Sequence, residues 1–192
     1  DKTVKRAVTL TEIRKIKELD LRGREKLEFA RDIFLFSFYT RGMSFIDICF
    51  LKKKNLSHGI LSYIRKKTGK LITIRWEDCM QKIADRHSDP DSPYLIGIIR
   101  KPHFREREQY KYASLETNKY LKEIGAMARL DIPLTMYVAR HSWASIARSK
   151  NIPLPIISEC MGHDNELTTR IYLASLDSTM VDRANSLILK SL

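Results

Sequence analysis

The sequence lacks the features of a membrane protein, a disulfide-rich secreted protein or a metalloprotein. Among its 192 residues no apolar run approaches the roughly 20 residues that cross a bilayer, and its start has no apolar signal segment. The cysteines Cys49, Cys79 and Cys160 are far apart and have no CxxC spacing. Acidic residues form no cluster at metal-ligand spacing. We therefore expect buried free thiols, no metal site, and a reducing, cytoplasmic compartment.

Positive charge is what the sequence has in excess. There are 35 lysines and arginines against 23 acidic residues, and the formal net charge is +12. The basic residues cluster at 52–54, at 65–70 and at 100–107. Because such clusters attract polyanions, nucleic acid is the expected partner. A basic protein that binds no nucleic acid could have the same composition, so composition alone leaves that alternative open. A membrane surface fits less well, because the clusters do not follow one amphipathic helix.

Two apolar segments around a turn predict the only sheet. Residues 60–65 and 71–76 have the composition of two strands, and the Lys-Thr-Gly-Lys sequence at 67–70 separates them, so a β-hairpin is expected. A further apolar run at 94–99 is expected to end a strand. Residues 100–107 are basic and predicted to form a loop.

Elsewhere, hydrophobic periodicity and capping signals predict helices. Thr9 and Glu12 form a capping box for the first helix, which Gly23 is expected to end, and Ser44 is a candidate N-cap for a short third helix. The other predicted helices cover about 25–39, 77–86, 108–129, 137–149, 155–161, 167–171 and 177–189. The fold class is therefore mainly α with a small antiparallel β-sheet.

The densest functional signal lies in the last third of the chain. Arg140 and His141 are adjacent in a predicted helix, Gly162 and His163 are predicted to form a turn, and Tyr172 follows His163 by nine residues. Taken singly, each has an ordinary structural explanation: Arg140 as a surface charge on a helix, His163 as a residue at a helix C-terminus, and Tyr172 as an aromatic residue of the core. Taken together, their order and spacing resemble the second half of the signature of tyrosine recombinases of the phage-integrase type.

The resemblance covers nearly the whole chain, from Thr9 to the last predicted helix. It implies the integrase-type catalytic domain over residues 1–192, without the family's N-terminal core-binding domain. In the implied reaction Tyr172 attacks a DNA phosphodiester and forms a 3′-phosphotyrosyl bond, while Arg140 and His163 stabilise the five-coordinate phosphorus. Because the bond energy is kept in this ester, neither a nucleotide cofactor nor a metal is required.

The predicted hairpin resembles the family's hairpin that carries a catalytic lysine. By position the implied general acid is Lys67, and Lys66 and Lys70 are the competing candidates.

Two positions depart from the family's pattern. Ser44 stands where the first arginine belongs, three residues before Asp47, so we expect Arg41 to supply the missing charge from upstream and Ser44 to cap the following helix. Tyr137 replaces a histidine three residues before Arg140. A phenol can still donate a hydrogen bond to a phosphate oxygen. Serine and tyrosine at these positions resemble the integrases of conjugative transposons.

The resemblance also implies partners. Double-stranded DNA is expected as substrate, with a homotetramer on DNA, a monomeric isolated domain, possible accessory DNA-bending proteins, and a bacterial, nucleoid-associated location. The residues expected to bind DNA are Arg65, Lys66, Lys70, Arg105, Arg107 and His141. Two alternatives stay open: a recombinase-derived DNA-binding module with impaired catalysis, and a strand-passage enzyme similar to type IB topoisomerases.

Overall fold

In the computed structural model of the chain, residues 6–163 and 185–191 are described. The α-helices between residues 6 and 163 are α1 (Leu10–Glu18), α2 (Glu25–Tyr39), α3 (Phe45–Cys49), α4 (Asp78–His87), α5 (Glu106–Met127), α6 (Met136–Ser149) and α7 (Leu154–Met161). One 3-10 turn covers Lys53–Asn55, and residues 185–189 are also helical. None of the described helices has the length and apolar character needed to cross a membrane.

The start of α1 follows its capping signal, whereas other helix boundaries differ from the predicted ones. The Thr9 hydroxyl accepts a hydrogen bond from the Glu12 amide at 3.2 Å, and the Glu12 carboxylate accepts one from the Thr9 amide at 3.3 Å. The predicted capping box is therefore confirmed. Helix α1 ends at Glu18, however, and Gly23 lies in the turn that follows. Helix α5 begins at Glu106, so Arg107 lies in its first turn and not in the predicted loop.

The sheet has three antiparallel strands in the order β1 (Leu56–Ser57), β2 (Ile60–Ile64) and β3 (Leu71–Arg75). Strands β2 and β3 form the predicted hairpin, with Leu61 opposite Ile74 and Ile64 opposite Leu71. The two-residue strand β1 was not predicted, because a segment this short has no readable alternation. The predicted mainly helical fold with a small antiparallel sheet is confirmed.

The strand predicted at 94–99 is wrong. Apart from an isolated bridge between Lys52 and Tyr94, this segment is a series of turns. Its apolar side chains are buried, with Ile96 and Ile99 both 0% exposed, and the Leu95 amide donates to the Leu51 carbonyl at 2.8 Å. The apolar run therefore signals burial of a loop in the core, which a short run does not distinguish from a strand.

Helix α2 lies at the centre of the main core and packs against α1, α4, α5 and α6. Its residues Ile33, Phe34 and Phe36 are fully buried, so the second half of the helix is covered on nearly all sides. A second, smaller core joins α6 to α7. This packing brings the middle of α6 next to the C-terminal end of α7, where the residues of the sequence signature lie.

Candidate active site between the hairpin and the Gly-His turn

Arg140 is held at the point where three segments meet. Its side chain, 4% exposed in the middle of α6, donates from Nη1 to the Gly42 carbonyl at 2.9 Å and from Nη2 to the Met161 carbonyl at 2.7 Å. Gly42 follows α2 and has a φ of +75°, and a Cβ there would lie 2.7 Å from the Arg140 Cα. Both conditions require glycine. The guanidinium orientation is thus fixed before any substrate binds.

The Gly-His turn ends α7. Gly162 has a φ of +63°, and a Cβ at this position would lie 2.7 Å from the Ile72 Cδ1 atom. The His163 amide donates to the Ser158 carbonyl at 3.1 Å, and the His163 side chain is 2% exposed. Such a left-handed glycine after the last helical residue reverses the chain and satisfies the last carbonyls. It also turns His163 toward the interior next to the hairpin.

His163 is neutral at physiological pH. Burial, together with the positive charges of Arg140, Arg65, Lys67 and Lys70, lowers its pKa to about 4. A neutral imidazole keeps one N–H donor and one acceptor nitrogen. His163 can therefore donate a hydrogen bond to a phosphate oxygen without being a cation.

Three side chains of the β-hairpin donate hydrogen bonds to the carbonyls of this turn. Arg65 Nη1 donates to the Gly162 carbonyl at 2.9 Å, and the Thr68 hydroxyl donates to the same oxygen at 3.1 Å. The Lys70 ammonium donates to the His163 carbonyl. The hairpin loop and the Gly-His turn therefore form one hydrogen-bonded unit, although about a hundred residues separate them in the sequence.

The three lysines of the hairpin differ in their surroundings. Lys66 lies 4.2 Å from the centre of the Phe50 ring, a cation–π distance, and Lys70 is bonded to the Gly-His turn. Lys67 is exposed, and its ammonium makes no hydrogen bond, ion pair or ring contact within the described residues. Of the three, Lys67 is therefore the side chain with freedom to approach a substrate.

Asp47 is a buried carboxylate close to the cations of the hairpin. Its carboxylate, on the buried side of α3, accepts a hydrogen bond from the Lys66 amide at 3.0 Å. Burial raises its pKa, and the hydrogen bond with the charges of Arg65, Lys66 and Arg140 opposes this rise. Asp47 thus ties the start of the hairpin loop to α3. The described residues hold no cluster of three or more His, Cys, Asp or Glu side chains fit for a metal ion.

Ser44 and Arg41 precede α3. Ser44 is the N-cap residue of α3, as predicted, with its carbonyl accepting from the Ile48 amide at 3.1 Å, but its hydroxyl makes no capping hydrogen bond. Arg41 is half-buried in a left-handed conformation, with a φ of +63°, directly before Gly42. Its charge acts on buried Tyr63 together with those of Arg140 and Arg65. Arg41 therefore lies beside the site, and its contact with a phosphate remains a prediction.

Tyr137 and His141 lie on the same helix as Arg140. Tyr137 is 50% exposed one turn before Arg140, and its ring meets the His141 ring edge-on at 4.7 Å. Burial lowers the pKa of His141 to about 4, with smaller contributions from Arg6 and Arg140. At 9% exposure, His141 is buried beside the site, whereas Tyr137 is accessible to a substrate.

The remaining predicted residues lie elsewhere or outside the described chain. Arg105 is at the N-cap of α5, with its guanidinium 5.6 Å from the Phe104 ring, and Arg107 follows it on the helix. Tyr172 and the helix predicted at 167–171 lie outside the described residues, as does the 177–184 part of the last predicted helix.

Comparison with known proteins identifies relatives of one kind. The sequence model of the phage integrase family matches residues 9–179. The tyrosine recombinase XerA of Pyrococcus furiosus is 29% identical over 194 residues, which cover 97% of this chain and 64% of XerA. A crystal structure of XerA recombinase superposes with a TM-score of 0.67 at 17% identity, over 94% of this chain and 64% of that chain.

The Tn1549 transposon integrase, in complex with transposon right end DNA, superposes with a TM-score of 0.64 at 14% identity, over 99% of this chain and 67% of that one. At these identities the solved structures show a shared fold. The chain spans slightly less than two thirds of the length of the XerA relative.

Proposed function

We propose that this chain, which belongs to the phage integrase family, is the catalytic domain, over residues 1–192, of a site-specific recombinase that cleaves and rejoins DNA through Tyr172. The observation that carries the proposal is the convergence of Arg140, His163 and the Lys67 hairpin. These residues come from distant segments, and His163, where they meet, precedes Tyr172 by nine residues.

The residues fit the charge that the reaction builds. Attack by the Tyr172 oxygen, which releases its proton to water as the bond to phosphorus forms, makes a dianionic, five-coordinate phosphorus. The Arg140 guanidinium is a cation that two carbonyls hold in place, and the His163 imidazole is a neutral donor beside it. Tyr137, accessible one helical turn away, adds a hydroxyl. Each preorganised donor of this kind contributes about 3–4 kcal/mol to transition-state stabilisation.

Lys67 is suited to protonate the leaving group. As the phosphorus–oxygen bond to the 5′ side breaks, the departing oxygen takes a proton from the Lys67 ammonium, and the phosphate stays on Tyr172 as an ester. In the reverse step the 5′-hydroxyl of a partner strand attacks that ester and releases the tyrosine. No nucleotide cofactor or metal takes part in this sequence of steps.

Strand exchange also requires partners. We propose that double-stranded DNA is the substrate and that four copies assemble on it, with a monomer in its absence. Leu187, Ile188 and Leu189 support an assembly, because they are 57–67% exposed on the last described helix. Lys66, Lys70, Arg105 and Arg107 are proposed DNA contacts, and accessory DNA-bending proteins and a nucleoid location belong to the same proposal.

The test is a covalent protein–DNA adduct that survives denaturation. Nicked suicide duplexes from a randomised library lose the short strand after cleavage, so that the adduct accumulates and its DNA can be sequenced. We expect an adduct with the wild-type chain and none with Tyr172→Phe, whose DNA binding should be nearly unchanged. DNA binding without any adduct would instead support the catalytically impaired module, which Ser44 favours.

A further inference from the structure

The proposed reaction needs a second cation, for which the sequence predicts Arg41 and the structure offers another candidate. A dianionic phosphorus needs a second cation beside Arg140, and Ser44 stands at the position from which the family supplies it. The inference below rests on the proposed function and concerns which side chain supplies that charge.

Arg65 is buried and held rigidly. It follows β2 and continues the alternation of that strand, so its side chain lies on the buried face with Leu61 and Tyr63 and is 4% exposed. Its amide donates to the Lys70 carbonyl at 2.8 Å, and its carbonyl accepts from the Gly69 amide at 2.8 Å. Arg65 is therefore as deeply buried as Arg140, on a backbone that the hairpin turn fixes.

The guanidinium of Arg65 is only partly bonded. Nη1 donates to the Gly162 carbonyl, while Nε is shielded from solvent and has no hydrogen-bond partner among residues 6–163 and 185–191. Within that part of the chain no carboxylate oxygen lies within 4.0 Å of the guanidinium. Burying a cation without a paired anion is costly, so a protein retains such a group where an anion binds.

Arg65 and Arg140 point to the same place. Arg140 donates to the carbonyl of Met161 and Arg65 to the carbonyl of Gly162, which are consecutive residues, and buried His163 follows. Arg65, but not Arg41, is among the cations that most lower the pKa of His163. Two guanidiniums attached to one turn repel each other, and the one buried carboxylate that both influence, that of Asp47, leaves a net positive charge that a phosphate can neutralise.

We propose that Arg65 is the second phosphate-binding arginine of this active site and takes over the role that Ser44 cannot perform. Its Nε and Nη2 hydrogens form one edge of the guanidinium, which can grip a non-bridging phosphate oxygen while Nη1 stays on Gly162. Arg65 and Lys67 are two residues apart, so the same hairpin carries both the phosphate-binding arginine and the general acid.

A methylphosphonate substrate tests this assignment. Replacing one non-bridging oxygen at the scissile phosphorus by a methyl group removes one negative charge, so a cation that neutralises that charge becomes dispensable. We expect Arg65→Ala to slow adduct formation on the ordinary phosphodiester by about 10²–10³-fold. On the methylphosphonate most of that loss should disappear. The matched control is Arg75→Ala on the same hairpin, whose side chain is 85% exposed, and it should change neither rate.

Several results would overturn the assignment. Equal slowing of Arg65→Ala on both substrates would make Arg65 a structural residue, and an unchanged rate would remove it from the site. Rescue of Arg41→Ala in place of Arg65→Ala would give the role to Arg41. If Arg65→Ala does not fold, Arg65→Gln keeps a neutral donor toward Gly162 and is subject to the same comparison. A wild-type chain that forms no adduct on either substrate overturns the proposed function as well, whereas a wild-type adduct with an unrescued Arg65 variant overturns this assignment alone.

Discussion

Replacing Gly42 by alanine should damage the site in a way that backbone strain alone does not explain. The added Cβ would lie 2.7 Å from the Arg140 Cα and 2.9 Å from its Cγ, closer than real Cβ contacts come. The φ of +75° adds the ordinary strain of a left-handed alanine, about 1–2 kcal/mol. Either α6 or the turn after α2 must shift, and Arg140 shifts with it.

Gly23 provides a matched control. Its φ is +77°, and nothing lies within 4 Å of a Cβ built there. Gly23→Ala therefore introduces the same backbone strain without the collision. We expect Gly23→Ala to lower the free energy of unfolding by about 1–2 kcal/mol, and Gly42→Ala to lower it by about 1–3 kcal/mol more, the usual cost of overpacking.

The two variants should differ more in catalysis than in stability. A displacement of about 1 Å in a positioning group costs roughly 10²-fold in rate, so Gly42→Ala should slow adduct formation by at least that factor, while Gly23→Ala should leave it unchanged. Denaturant unfolding and adduct kinetics measure the two effects separately. Equal behaviour of the two variants in both assays would refute the claim that contact with Gly42 positions Arg140.

Three further predictions concern the general acid, the basic clusters and the buried histidine. Lys67→Ala should slow cleavage of an ordinary phosphodiester by about 10²–10⁴-fold but a 5′-bridging phosphorothioate far less, because a thiolate leaves without a proton; equal slowing would point to Lys66 or Lys70. DNA affinity should fall steeply with salt, with a slope of about −0.9 per neutralised phosphate in log affinity against log salt, and a flat profile would contradict backbone binding by the basic clusters. The folded-state pKa of His163 is lowered from 6.5 to about 4. Its neutral form therefore adds stability that is complete above about pH 6.5 and is lost as the pH falls toward 4. His163→Gln should flatten the pH dependence of the unfolding free energy in that window, and an unaltered profile would contradict the lowered pKa.

The sequence was most informative where one local pattern has one structural meaning. The capping box at Thr9 and the two strand-like segments around the hairpin turn are of this kind, and both are in the structure. The apolar run at 94–99 has two meanings, strand or buried loop, and its neighbours in the fold decide between them. The predicted side-chain cap from Ser44 failed for a similar reason, since a suitable residue at an N-cap does not ensure that its hydroxyl turns toward the helix.

Contacts between distant segments were beyond sequence reasoning. Nothing in the residues around 65–70 announces that three of their side chains donate to the Gly-His turn about a hundred residues later. Asp47 was noted for its position relative to Ser44, yet its bond to the Lys66 amide, which links α3 to the hairpin, depends on the packing of the whole domain.

The position of Arg65 is an exception, because a usable signal was present. Leu61 and Tyr63 are the buried positions of β2, and the period of two of a β-strand places residue 65 on their side. An arginine at a buried position of a strand requires an anion, a carboxylate or a set of carbonyls. The sequence therefore already contained a cation directed inward beside the predicted catalytic lysine. Grouping Arg65 with the solvent-facing charges of the basic cluster obscured this, because a charge count records how many cations a segment has and not which way each of them points.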